Sequence, residues 1–248
     1  MLTSFQDIFA PPRHLILLVI AAWAGLLLTE RRAQRHGIET EQINGLAFYS
    51  IIGFVIGGRI LFAIQNFSAF NKSPASLLAV NPDLFDLTGG LATAVMIGLI
   101  YGQRNQLPVW SLLDAFTPFF AALMIGVGFS HLASGTAFGM PTELPWGMEL
   151  WNARRHPTQI YEIIASASTF ALVWIRRPSP YRGVDFLFFT AITAGWHLFL
   201  SAFRADSTLV LNGFHREQVL ALFTLAACFV LIEWRLTLPD TPQKNSLI

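Results

Sequence analysis

The sequence predicts an all-α, polytopic integral membrane protein, and three observations carry that prediction. Apolar residues make up 54% of the 248 and charged residues 12%, about half the charge of a soluble domain. Mean hydropathy is +0.52. Apolar runs of about 20 residues, the length that crosses a roughly 30 Å hydrocarbon core at 1.5 Å rise, recur along the chain. About seven spans are expected, near 13–30, 44–66, 86–103, 109–131, 158–176, 183–203 and 215–235. They form a single membrane domain, 1–248, with a small extracytoplasmic head at 132–157.

In chain order, the N-terminal MLTSFQDIFAPPRH has no early positive cluster and no small-residue cleavage site, so it is expected to be retained. Span one ends in Arg31 and Arg32, and span five in Arg176 and Arg177. Paired arginines beside spans mark the cytoplasmic side, which puts the N-terminus and the 132–157 excursion outside. Span two carries Arg59 directly after two glycines; a charge inside a span is by default a functional candidate, and snorkelling or pairing with Asp114 is the plainer alternative. Thr88, Gly89 and Gly90 open span three, where small residues also serve packing. Span four holds Asp114, a ligand-side group or a structural helix-end partner, and ends at His131.

The stretch Gly126–Glu162 concentrates polar residues beside the membrane, and any chemistry belongs near it. Its end, HPTQIYE, reads as a helix entry, with Pro157 in the first turn and the Thr158 hydroxyl at the start. Gln159 and Glu162, three apart, share a face. A helix N-terminus attracts phosphate, and Arg154, Arg155 and His156 sit beside it; a plain interfacial anchor is the alternative. Arg204, Asp206, His215 and Arg216 bracket the last outer loop. Several cations and few free acids outside suit an anionic phospholipid headgroup, which guanidinium binds in bidentate fashion. A net charge of +1 says nothing about nucleic acid; no basic arm or zinc spacing is present, so no nucleic-acid partner and no metal are expected, and a single Cys228 excludes a disulfide framework.

The order GGR (57–59), TGGL (88–91), LLDAFTPFFA (112–121), ASGTAFGMPTELPWG (133–147), RHPTQIYE (155–162), FRAD (203–206) and Gln218 resembles the prolipoprotein diacylglyceryl transferase family over nearly the whole chain. The resemblance implies a multi-pass enzyme of the bacterial inner membrane with a small periplasmic head. Such enzymes take diacylglycerol from phosphatidylglycerol and attach it to the lipobox cysteine thiol of a preprolipoprotein; for this chain the expected partners are phosphatidylglycerol and a preprolipoprotein or other membrane peptide. Glycerol phosphate leaves, and no metal or organic cofactor is used. A monomer is expected. By the same resemblance Arg204 and His156 are catalytic, and Arg59, Gly89, Gly90, Asp114, Gly135, Gly139, Gln159, Tyr161, Glu162 and Gln218 bind substrate.

The chain also departs from the family pattern. The family's HGG is Thr88-Gly89-Gly90, its essential arginine falls on Gly128, its asparagines on His131 and Ser134, and its acid on Thr136. An upstream arginine is His197 and a glutamate is Ser201. His131, His14 and His197 are titratable groups that can serve as acid or base, and His131 joins the catalytic candidates. Losing a preorganised charge donor typically costs about 10²–10³ in rate, so the family reaction is expected here with reduced activity or an altered acceptor; a non-catalytic lipid- or lipoprotein-binding paralogue is the alternative function. A transporter has no support from a broken-helix pair.

Overall fold

The computed structural model describes residues 13–72, 84–210 and 213–238. Helices form at all seven expected stretches: α1 (Arg13–Ala33), α2 (Thr40–Gln65), α4 (Leu87–Arg104), α5 (Val109–Ser134), α6 (Thr158–Ile175), α7 (Val184–Leu200) and α8 (Arg216–Thr237), with a short α3 (Phe67–Lys72) after α2. Six are long and apolar enough to cross a membrane. The exception to the expected seven is α4. Its 18 residues include Thr88, Thr93, Gln103, Arg104 and several glycines, which lower its hydropathy without shortening the helix.

The chain divides into two compact units, one from Met1–Arg32 with Leu113–Ile248 and one from Ala33–Leu112. In the second, α2 and α4 run antiparallel with glycine against side chain at each level. A Cβ on Gly53 would meet Ile97, on Gly57 Thr93, on Gly89 Leu61 and on Gly90 Phe54 and Phe85. Small residues let two helix backbones approach closely where no hydrophobic force separates helix from lipid. The α2 entrance is closed by a reciprocal Glu39–Gln42 capping box, and Asp86 caps α4 by accepting from the Gly89 amide.

The first unit packs α5, α6 and α7 around Ala121, Val173 and Phe189, with Phe120, Met124, Phe170 and Phe186 against them. Close approach recurs on α5, where a Cβ on Gly126 would meet Ala21 of α1 and one on Gly128 would meet Ile163 of α6. Arg32 fastens α1 to the C-terminal end of α6. It donates to the carbonyls of Val173 (3.0 Å) and Trp174, and its guanidinium lies 4.3 Å from the Trp174 ring centroid. That end of a helix carries unpaired carbonyls and partial negative charge.

The small head lies between α5 and α6. The strands β1 (Met148–Leu150) and β2 (Ala153–Arg155) pair antiparallel about Trp151 and Asn152. Both turn residues have positive φ, 53° and 59°, the mirror-image turn that matches strand twist. Residues 138–142 run between β2 and the end of α7: Met140 N donates to Phe203 O, Ala205 N to Phe138 O, His156 N to Met140 O and Thr142 N to Arg154 O. A second hairpin, β3 (Leu209–Val210) with β4 (Phe214–His215), precedes α8.

Candidate active site

The ends of α5 and α6 and the turn after α7 bring charged side chains together in the first unit. His131 sits in the last turn of α5, Glu162 lies one turn into α6, and Arg204 follows a 3-10 turn, Ser201–Phe203, at the end of α7. His131 Nδ1 is 2.8 Å from Glu162 Oε2. A carboxylate only accepts, so Nδ1 carries the hydrogen and Nε2 holds the free lone pair of the neutral ring. Arg204 Nη1 lies 3.6 Å from the other Glu162 oxygen, beyond hydrogen-bond range but within strong charge attraction. Glu162 keeps 12% of its side-chain surface and Arg204 18%, so this attraction is screened far less than at an open surface.

Asp206 completes the group. Its Oδ1 is 3.0 Å from both Arg204 Nε and Nη2, and its Oδ2 accepts from the Ala137 amide at 2.8 Å. Two carboxylates therefore flank one guanidinium, which corrects the expectation of many cations and few acids. Arg154 and Arg155 correct it further. Arg154 donates to Pro145 O, and Arg155 to Leu150 O and Gly139 O while lying over Phe138. Both arginines hold the head together.

The loop that aims Arg204 depends on a glycine. Residues Gly139 and Arg204 form a β-bridge, and a Cβ on Gly139 would lie 2.3 Å from His156 O, so no other residue fits there. Gly135 ends α5 with φ 69°, the left-handed cap that glycine adopts freely, and its carbonyl accepts from Trp151 Nε1 at 3.2 Å. Pro157 precedes α6 as expected, but Thr158 does not cap its own helix. Its hydroxyl donates to Ala137 O, and Gln159 Nε2 donates to Thr136 O; both anchor the loop beyond α5.

The other candidates take different places. His156 packs against Tyr161 and Phe203, its Nδ1 buried with no hydrogen-bond partner among the described residues. Tyr161 accepts from Trp146 Nε1 at 2.8 Å. Gln218 Oε1 accepts from His215 N in a capping box, and its Nε2 reaches Leu198 O of α7. Asp114 is buried, and its two oxygens accept from the Gly183 and Phe186 amides, a cap for α7 supplied from α5. It stands 17 residues before His131 on the same helix, roughly 25 Å away, with Pro118 between them. Arg59, Gly89 and Gly90 belong to the second unit, where Arg59 Nη1 donates to Leu84 O at 2.9 Å and both glycines pack against α2.

A small cavity of about 40 Å³ opens among α5, α6 and α7, lined by Gly128, His131, Glu162, Thr193 and His197 among others. It has room for a water or so. Among the described residues no cluster of three or more His, Cys, Asp or Glu could hold a metal ion.

The profile of prolipoprotein diacylglyceryl transferases matches residues 14–234. The chain belongs to this family. Three relatives carry the name phosphatidylglycerol–prolipoprotein diacylglyceryl transferase. One from Methylococcus capsulatus is 30% identical over 176 residues, 67% of each chain. One from a Nostoc species is 25% identical over 239 residues, 88% of this chain and 83% of the relative. One from Nitrosomonas europaea is 28% identical over 228 residues, 86% and 81%.

Against the prolipoprotein diacylglyceryl transferase pattern, the departures in the first unit have structural counterparts. Gly128 lies tight against Ile163 of α6 and forms part of the cavity wall. Ser134 and Thr136 hydroxyls bond to each other at 2.7 Å. His131 takes Glu162 as its partner. Asp206 is a site residue that sequence reasoning left out of the binding set, and the Arg-x-Asp spacing was its signal. Nothing in the sequence singled out Glu217, which lines a second groove with His197.

Proposed function

We propose that this protein transfers the diacylglyceryl group of phosphatidylglycerol to the cysteine thiol of a prolipoprotein at the outer face of the bacterial inner membrane. Family membership supports the reaction, and the observation that carries it to this chain is the contiguous His131–Glu162–Arg204 group. Glu162 fixes the His131 tautomer and offsets the imidazolium that forms when Nε2 takes the thiol proton. Arg204, oriented by Asp206, keeps donors free for the lipid phosphate and offsets charge growing on the leaving oxygen.

The proposed orientation places the N-terminus and the head outside, in one membrane domain acting as a monomer. It is supported by the two arginine pairs: Arg32 grips the carbonyls of Val173 and Trp174, two residues before Arg176, so both pairs mark one end of the first unit.

The test is transfer to a lipobox peptide by purified protein in nanodiscs of phosphatidylglycerol, read as added diacylglyceryl mass. Phosphatidylethanolamine discs should give none. Bound phosphatidylglycerol without any transfer would establish the non-catalytic, lipid-binding alternative.

A further inference from the structure

We infer that the end of the first unit opposite the head holds the headgroup of an anionic phospholipid, bound by guanidinium groups of α1, the α6–α7 turn and α8. This site is separate from the His131–Glu162–Arg204 group and stands or falls independently of the transferase reading.

Direct contacts tie the elements of this end together. From α1, Arg32 reaches the carbonyls of Val173 and Trp174. Two residues on, Arg176 lies over the Phe188 ring at 4.2 Å, and its Nη1 is 3.6 Å from Asp185 Oδ1. The turn that follows is closed by Asp185, whose two oxygens accept from the Ser179 amide at 3.1 Å, and by Asp114, which accepts from the Gly183 amide. Arg235 of α8 donates through Nε to Arg182 O at 2.8 Å. The 18 residues of α6 separate this turn from the head, roughly 27 Å at 1.5 Å rise, so the two lie on opposite sides of the hydrocarbon core.

The arginines here are Arg31, Arg32, Arg176, Arg177, Arg182 and Arg235, against Glu30, Asp114, Asp185 and Glu233 on the same elements, which leaves positive charge in excess. Sidedness of insertion accounts for arginines at this end, but not for guanidinium nitrogens taken out of water with no acceptor. Arg176 Nη1 and Arg182 Nε are both buried with no hydrogen-bond partner among the described residues, a costly arrangement for charged donors. The nearest carboxylate to Arg176, at 3.6 Å, is beyond hydrogen-bond distance. Arg176 still keeps 36% of its side-chain surface, and Arg31 and Arg177 are exposed, so an oxyanion can approach from outside. A phosphate diester supplies the missing negative charge and takes the fork of donors that a guanidinium presents.

The apolar surface beside these arginines makes the anion a lipid. Ile175, directly before Arg176, is 81% exposed, and Trp174 and Trp234 are exposed as well. Each of those rings has a guanidinium against it, Arg32 at 4.3 Å from the Trp174 centroid and Arg235 at 5.7 Å from that of Trp234. Indole rings settle at the depth of lipid headgroups, and basic pockets between transmembrane helices bind anionic ones. Acyl chains lying along Ile175 and the two rings would hold a phosphate at the level of Arg176 and Arg182.

The experiment follows thermal unfolding of the purified protein in phosphatidylcholine nanodiscs with and without phosphatidylserine. Native mass spectrometry then counts the phosphatidylserine retained on release from the discs. Phosphatidylserine should raise the wild-type Tm, because a ligand that binds only the folded state stabilises it. Arg176→Gln combined with Arg182→Gln should weaken retention by about tenfold or more, the fold-change that goes with one charge-assisted hydrogen bond, and should lose most of the Tm rise. Arg204→Ala, at the other end of the unit, should keep both. An equal rise in wild type and the double variant overturns the inference, as does no rise in wild type. A rise lost in Arg204→Ala and kept in the double variant puts the lipid at the head and overturns it too. If inorganic phosphate in phosphatidylcholine discs raises Tm as far as phosphatidylserine does, the site takes a free anion and the lipid assignment fails. Should the double variant not fold, Arg31→Gln with Arg177→Gln decides, since both side chains are exposed: undiminished retention there overturns the inference.

Discussion

Replacing Glu162 by glutamine keeps the shape of the side chain and removes its charge. One oxygen can still accept from His131 Nδ1, now 2.8 Å away. The new amide group would then point at Arg204 Nη1, 3.6 Å from the present oxygen, setting donor against donor. A hydrogen bond to a charged group contributes about 1.5–3 kcal/mol and a neutral one about 0.5–1.5, so folded stability should fall by about 1–2 kcal/mol. The larger effect is on the reaction. The imidazolium formed at His131 loses its counter-charge, and positioned acid–base groups contribute about 10²–10⁴ in rate. Glu162→Gln should therefore fold, elute as one species in detergent, and transfer diacylglyceryl roughly 10²-fold more slowly at saturating lipid. The assay is the time course of peptide modification by mass spectrometry in phosphatidylglycerol nanodiscs. A folded variant with wild-type kcat would refute the base assignment. A raised KM for lipid with unchanged kcat would instead leave Glu162 as the residue that orients Arg204.

Asp114→Asn should cost about 1–2 kcal/mol, the value of a helix cap, because one of the two amides it holds, Gly183 or Phe186, loses its acceptor. Its transfer rate per folded molecule should be unchanged, and a fall in that rate would return Asp114 to the substrate site. Gly139→Ala sets a methyl 2.3 Å from His156 O; thermal unfolding in detergent should show a loss of at least about 2 kcal/mol, and wild-type stability would mean that the loop can shift. Gly128→Arg should express poorly, since even a Cβ there meets Ile163 Cγ1 at 2.8 Å; a well-folded variant with raised transfer would show instead that this site lacks only a cation. Single cysteines at Thr142 and Gln34 in a Cys228→Ser background should label differently with an impermeant reagent in intact cells. Labelling at 34 alone would invert the proposed orientation.

Much of this protein was legible without coordinates. The all-α membrane class followed from apolar length, a property each segment carries within itself. The helix start after Pro157 and the shared face of Gln159 and Glu162 followed from local geometry, since neighbours along a helix are determined by its pitch. The two hairpins escaped notice because strands of two or three residues leave no periodic trace. All seven expected helices form, and α4 alone among them pairs helical length with a hydropathy too modest to mark it as a span by composition.

What meets what was decided by tertiary structure alone. His131 and Glu162 are 31 residues apart, and Ala137 and Asp206 are 69 apart. Asp114 reads equally well from sequence as ligand or scaffold until α7 arrives with its unpaired amides. Arg154 and Arg155 look like phosphate ligands until the head's own carbonyls claim them. Hydropathy and period specify each helix by its own short-range sterics, whereas these pairings depend on how closely glycines such as Gly128 and Gly139 let separate backbones approach.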